Sequence, residues 1–164
     1  MIILDVEASG LAPESYPIEV AWQHRFNPAK FDSFLIQPAP SWLYWDTYAE
    51  DHIHHISRET LASCGISIVE AASRLNASLN GMTVYTDAPP YDRRWIAELF
   101  RAASIEQAFK VQDVLLLLPP TQEGAYLRRF NLTPVTHRAL EDVRQIINCV
   151  NYIAPEGGEY PGDI

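Results

Sequence analysis

Two acids interrupt the first apolar run of the chain. Ile2-Ile3-Leu4-Asp5-Val6-Glu7 has the length and composition of a buried strand, and Ala8-Ser9-Gly10 ends it. Side chains alternate across a strand, so Asp5 and Glu7 share one face while Val6 takes the other, toward the core. Two carboxylates on one face of a short buried strand repel each other and lose hydration. A divalent cation offsets that cost, and ligands made of oxygen alone suit magnesium or manganese rather than zinc. A D-x-E tripeptide also occurs at solvent-facing strand ends, so the rest of the chain has to decide between the two readings.

The 164 residues suit one domain, expected over residues 1–154, with a loose Gly- and Pro-rich tail over 155–164. An apolar content of 48% excludes a disordered chain and allows a core without disulfides. The longest apolar run, Val114 to Leu118, is too short to span a bilayer and stops at Pro119-Pro120. No secretion signal opens the sequence, and Cys64 and Cys149 form no C-x-x-C, so a cytoplasmic protein with two reduced thiols and no membrane partner is expected. The net charge of −9 argues against a protein that coats long duplexes, which needs many Lys and Arg contacts to phosphates. An enzyme that grips only a chain end needs few such contacts, and some of the acids then serve to hold cations.

Further strands are expected from Ile18 to Phe26, entered from Pro17, and from Phe31 to Gln37, with Asn27-Pro28-Ala29-Lys30 as the turn between them. Met82 to Thr86 reads as a fourth strand, and Phe109 to Leu117 holds a fifth. Pro38 to Ser57 reads as an aromatic loop with one helical turn at most. Ser57 and Ser67 are placed to cap helices, the second carrying Ile68, Ala71, Ala72, Leu75 and Leu79 at helical spacing. Tyr91 to Ala103, Thr121 to Phe130 and Thr136 to Tyr152 complete the helices, with Thr133-Pro134 or Thr136 at the start of the last. Three strands followed by alternating helices and strands predict an α/β fold: a mixed five-stranded sheet with helices on both faces.

Two more groups of residues carry chemistry. Asp92 falls in the first turn of the helix after the fourth strand, where a carboxylate is favoured by the helix dipole whether or not it binds anything. His137 and Asp142 stand five residues apart at the start of the last helix, near one another without superposing. His137 could there reach a metal-bound water while Asp142 holds the metal, although a His and an Asp on a solvated helix face have the same spacing.

The order of these pieces resembles the DEDDh-type 3′→5′ exonucleases, the family of ribonuclease T, oligoribonuclease and the proofreading subunits of DNA polymerases. Leu4-Asp5-Val6-Glu7-Ala8-Ser9-Gly10-Leu11 resembles its first motif, Pro17-Ile18-Glu19-Val20-Ala21 its second strand, and Ile53-His54-His55-Ile56-Ser57 its I-H-G-I-T/S element, with His55 in place of Gly. The second motif departs from the pattern H-N-x-x-F-D: Asp87 and Ala88 replace His and Asn, while Tyr91-Asp92 keeps the aromatic–Asp pair. Asp92 is therefore assigned the metal, with Asp87 as its rival.

The resemblance implies a ribonuclease H-like fold over Ile2 to Val150. It also implies a two-metal-ion exonuclease in which Asp5, Glu7, Asp92 and Asp142 hold two Mg2+ or Mn2+ ions. His137, neutral and mobile near pH 7, takes the proton of the attacking water, and Glu7 belongs to the catalytic set as well. Ala8, Ser9, Gly10 and Leu11 are expected beside the 3′ nucleotide, Ser9 and Gly10 through backbone groups and Leu11 as a wedge, with His54 near the scissile bond. The expected partner is the 3′ end of single-stranded nucleic acid and the expected role RNA processing, with RNA favoured over DNA. A proofreading- or repair-type DNA exonuclease is the alternative, and a silent nucleic-acid-binding module on the same fold a more distant one. Trp42, Tyr44 and Trp45 could stack bases, fill the core or join two copies, so a homodimer is allowed without being required.

Overall fold

Strand β1 (Ile2–Ala8) lies at the centre of a five-stranded sheet of order β3-β2-β1-β4-β5. β2 (Pro17–His24) and β3 (Asn27–Leu35) run antiparallel on one side, while β4 (Thr83–Thr86) and β5 (Lys110–Asp113) run parallel on the other. The structure is a computed structural model that describes residues 1–155, so the expected tail after Pro155 lies outside the described residues.

Alternation along β1 divides the protein into two cores. Ile2, Leu4, Val6 and Ala8 join one cluster, covered by α3 (Ile68–Leu79) and α4 (Pro89–Ala103). Ile3 joins the opposite cluster, beneath α5 (Glu123–Leu132) and α6 (Ala139–Ile153). Asp5 and Glu7 follow Ile3 on its face, and Val6 turns inward among apolar side chains, as the alternation requires. This is the mixed sheet with helices on both faces that the sequence predicts.

Local signals hold well. Ser57 caps α2 (Arg58–Cys64), accepting from Thr60 N–H at 3.1 Å, and Ser67 caps α3, accepting from Glu70 N–H at 3.2 Å. Pro89 and Pro90 open α4 rather than precede it, because the first helical positions need no amide donor. Cys64 is exposed, Cys149 is buried, and both are free thiols. Among the described residues no helix is long and apolar enough to cross a membrane.

Four expectations change. The hairpin turns at Arg25-Phe26, not at residues 27–30. Asn27 already pairs with His24, and the next pair is Gln23 with Phe31, so Pro28, Ala29 and Lys30 bulge from an edge strand, where proline costs no ladder bond. β5 is shorter than expected because the Asp113 side chain accepts from Leu115 N–H at 2.9 Å and turns the chain into a 3-10 segment, Val114–Leu117. The aromatic loop holds α1 (Thr47–Ala49), capped by Asp46, running into a π-helical turn, Glu50–His54. Finally, α6 begins at Ala139, which leaves His137 outside the helix in a left-handed conformation (φ 55°).

Candidate active site

β1 pairs with β4 only through Ile2–Val84 and Ile3–Tyr85. Asp87 lies just past the carboxyl end of β4, where open α/β sheets place their sites, and Asp5 lies midway along β1. A cavity of about 440 Å³ opens there, of a size that takes a small ligand. Asp5, Glu7, Asp87, Asp92, His137 and Asp142 all line it.

The six residues fall into two groups. Ligand atoms of Asp5, Asp87 and Asp92 lie within 4.8 Å of one another, and so do those of Glu7, His137 and Asp142. Asp87 and Asp92 thus stand together and do not exclude one another. Asp92 is fully buried, reaching the site from the first turn of α4, and Thr86, the last residue of β4, donates its hydroxyl to Asp92 Oδ2. The Thr86 hydroxyl in turn accepts from Ala88 N–H at 3.2 Å, which fixes its rotamer.

The carboxyls resist ionisation. Burial, then Asp92, Glu7, Asp87 and Asp142, push Asp5 well above the usual carboxylate range. Glu7 is pushed up to about 8, by burial first and then by Asp142 and Glu19, against the pull of Arg138. Asp87 rises to about 6, again mainly through burial, and Asp92 is raised well above its usual value by burial, against the Thr86 hydrogen bond. Asp5 Oδ2 is buried with no hydrogen-bond partner among the described residues. An oxygen-rich cluster that includes an orphaned carboxylate oxygen fits a hard divalent cation, which supplies the missing positive charge.

His137 is held from both sides. Before it, Thr136 donates its N–H and its hydroxyl to Asp142 Oδ1 at 3.1 and 3.0 Å. After it, Arg138 makes a two-pronged pair with Glu19 at 3.1 and 2.8 Å, and Glu19 also accepts from Ala139 N–H at 3.0 Å, capping α6 from a neighbouring strand. A non-glycine residue persists in the left-handed region when its surroundings over-determine it, and these two anchors do so. Glu19 sits directly across the antiparallel ladder from Glu7 and is itself buried.

The remaining predicted residues divide. Ala8, Gly10 and Leu11 line the cavity, with Leu11 67% exposed at its rim. Ser9 does not. It is fully buried, its N–H and carbonyl are used by Tyr16 and Asp46, and its hydroxyl accepts from Tyr16 N–H, so it staples the turn and has no backbone group left to offer. Gly10 has no room for a Cβ, which would stand 2.8 Å from both Tyr44 and Asp46. His54 lines the cavity with Nε2 buried and unpartnered, its Nδ1 accepting from Ile56 N–H at 3.1 Å. Burial first, then His55, lowers its pKa to about 4, so the ring is neutral.

Trp42 is buried and stacks on Tyr16 in the core at 5.0 Å, so its indole is not free to stack bases, while half-buried Trp45 packs edge-on against His54. Sequence reasoning missed the parts played by Glu19, Thr86 and Thr136. Glu19 could have been found from a buried acid opposite Glu7, once the strand register is known. Nothing local marks Thr86 or Thr136.

A five-stranded mixed sheet of this order, with helices on both faces, is the ribonuclease H-like fold. Solved structures with that fold include E. coli exonuclease I with single-stranded DNA in a zinc-bound form (15% identity, TM-score 0.70, covering 94% of this chain and 40% of that one). Exonuclease I bound to a dT13 oligonucleotide is 16% identical, with a TM-score of 0.71 over 93% of this chain and 40% of that one. The enzyme of Methylocaldum szegediense is 20% identical, with a TM-score of 0.71 over 94% and 41%. The chain thus spans about two fifths of the length of these structures. No protein-family model matches it, and no curated protein matches it in sequence.

Proposed function

We propose that this chain is a divalent-cation-dependent 3′→5′ exonuclease acting on single-stranded DNA. The observation that carries the reading is the convergence of two groups of ligand atoms, Asp5–Asp87–Asp92 and Glu7–His137–Asp142, on the floor of one cavity. Several of the E. coli exonuclease I structures were captured with single-stranded DNA or deoxyoligonucleotides, and none of these observations favours RNA, so the DNA alternative replaces the RNA preference expected from sequence.

Asp5, Glu7, Asp92 and Asp142 would hold the cations. When bound, a pair of divalent cations supplies Lewis-acid stabilisation of the attacking and leaving oxygens in a phosphodiester displacement. The protein's own groups do the rest. Leu11 and Tyr91 at the rim admit an unpaired 3′ end, and His54 presents a neutral Nε2 to the backbone within. His137 accepts the proton of the attacking water and must be neutral to do so. The water's oxygen joins phosphorus, the bond to the 3′ oxygen breaks, and a nucleoside 5′-monophosphate leaves. A silent binding module is disfavoured because the acids and the His all remain in place.

The test is cleavage of single strands of DNA and RNA labelled at the 5′ end, with Mn2+ or Mg2+ and with EDTA. Stepwise shortening of DNA from the 3′ end is expected, lost in EDTA and in Asp5→Asn and His137→Ala. Activity retained by Asp5→Asn overturns the metal assignment, and preferential shortening of RNA overturns the substrate.

A further inference from the structure

We propose that Asp87 is a cation ligand in its own right, so that the site carries five carboxylates, with Asp5, Asp87 and Asp92 forming a three-acid cradle that takes a divalent cation before any nucleic acid arrives. The inference rests on the proposed metal-dependent reading of the site and adds a ligand to it.

Three observations converge. Asp87 follows directly on the last residue of β4, the strand that runs parallel beside β1, and α4 begins two residues later at Pro89, so its backbone is anchored on both sides. Its ligand atom lies within 4.8 Å of those of Asp5 and Asp92, while the Glu7 group forms a separate set. Its side chain takes a hydrogen bond from its own backbone, and no arginine or lysine among the described residues forms an ion pair with it. Asp5 Oδ2, on one of the three acids, is buried and has no hydrogen-bond partner among the described residues. A third carboxylate crowded against two others in a cavity is a cost to the empty protein that a bound cation repays.

The charge has a consequence. Four carboxylates and two divalent cations sum to zero, so the phosphodiester of the substrate meets a neutral site. A fifth leaves one negative charge, which strengthens cation retention and weakens the electrostatic pull on the substrate. Cation binding should therefore need no nucleic acid, and removing Asp87 should loosen the cation while lowering KM for single-stranded DNA.

The experiment is titration of the full chain with Mn2+ alone, followed by calorimetry and by the electron paramagnetic resonance signal of free Mn2+. Wild type is compared with Asp87→Asn and Asp5→Asn, at low salt and at about 1 M KCl, where the Debye length falls to about 3 Å. Asp87→Asn should weaken Mn2+ binding by at least about tenfold, the scale of lost support at metal sites. The loss should persist at high salt, because direct ligation is not screened. Wild-type affinity in Asp87→Asn, or a difference that disappears in salt, overturns the inference. If Asp5→Asn also binds Mn2+ like wild type, the metal-dependent reading itself fails. If Asp5→Asn loses binding and Asp87→Asn does not, only the fifth ligand falls.

Discussion

Replacing Glu7 by Gln should stabilise the cation-free protein, although it removes a proposed cation ligand. Glu7 is buried, faces Glu19 across the ladder and lies in one cluster with Asp142. Its folded pKa is raised from 4.5 to about 8, whereas in the unfolded chain it titrates near 4.5. The folded state therefore binds the extra proton, and stability is greatest below 4.5, falls as pH rises from there, and levels off above about 8. At about 1.4 kcal/mol per pH unit, that interval sets a ceiling of about 5 kcal/mol near pH 9 and about 3 kcal/mol near pH 7. Gln keeps the volume and carries no charge, so the variant escapes the loss. Each kcal/mol moves the melting temperature of a chain this size by about 2–4 °C.

The assay is thermal unfolding in EDTA across that pH range. The melting temperature of Glu7→Gln should equal that of wild type near pH 4 and exceed it increasingly up to pH 9. Saturating Mn2+ should narrow the gap, since a cation at about 100 times its Kd adds about 2.7 kcal/mol to the protein that retains the ligand. A Glu7→Gln variant that melts at or below the wild-type temperature in EDTA at pH 9 would refute the reasoning.

Two other substitutions probe the supports of the site. Glu19→Gln loses the charge that pairs with half-exposed Arg138 and caps α6, which should cost about 1–2 kcal/mol by thermal unfolding; because His137 lies between the anchors, kcat on single-stranded DNA should fall at least about tenfold while Mn2+ affinity changes little. An unchanged kcat would make the pair purely structural. His55→Gly removes a side chain from a left-handed cap (φ 54°) at which the related motif has Gly, and should raise stability by about 0.5–1 kcal/mol in chemical denaturation. A loss of stability would show that the imidazole makes a contact worth more than the strain.

The chain's own order determined a great deal. Alternation along β1 put Asp5 and Glu7 on one face and Val6 in the core, because that geometry is set by neighbouring residues alone. Helix caps at Ser57 and Ser67 were legible for the same reason, as was the succession of strands and helices that defines the fold. Asp142 was legible too, three residues after buried Ala139 on the inward stripe of α6. Tertiary structure decided what depends on elements far apart in sequence. Whether Asp87 or Asp92 comes near Asp5 turned on where β4 ends and α4 starts, and the answer, both, is invisible to spacing along the chain. The turn at Arg25-Phe26, the work of Glu19 at the head of α6 and the left-handed backbone of His137 likewise come from contacts across the sheet. The spacing of the two acids in the first strand put them on one face, but the number of carboxylates that meet them there was fixed only when the sheet closed around them.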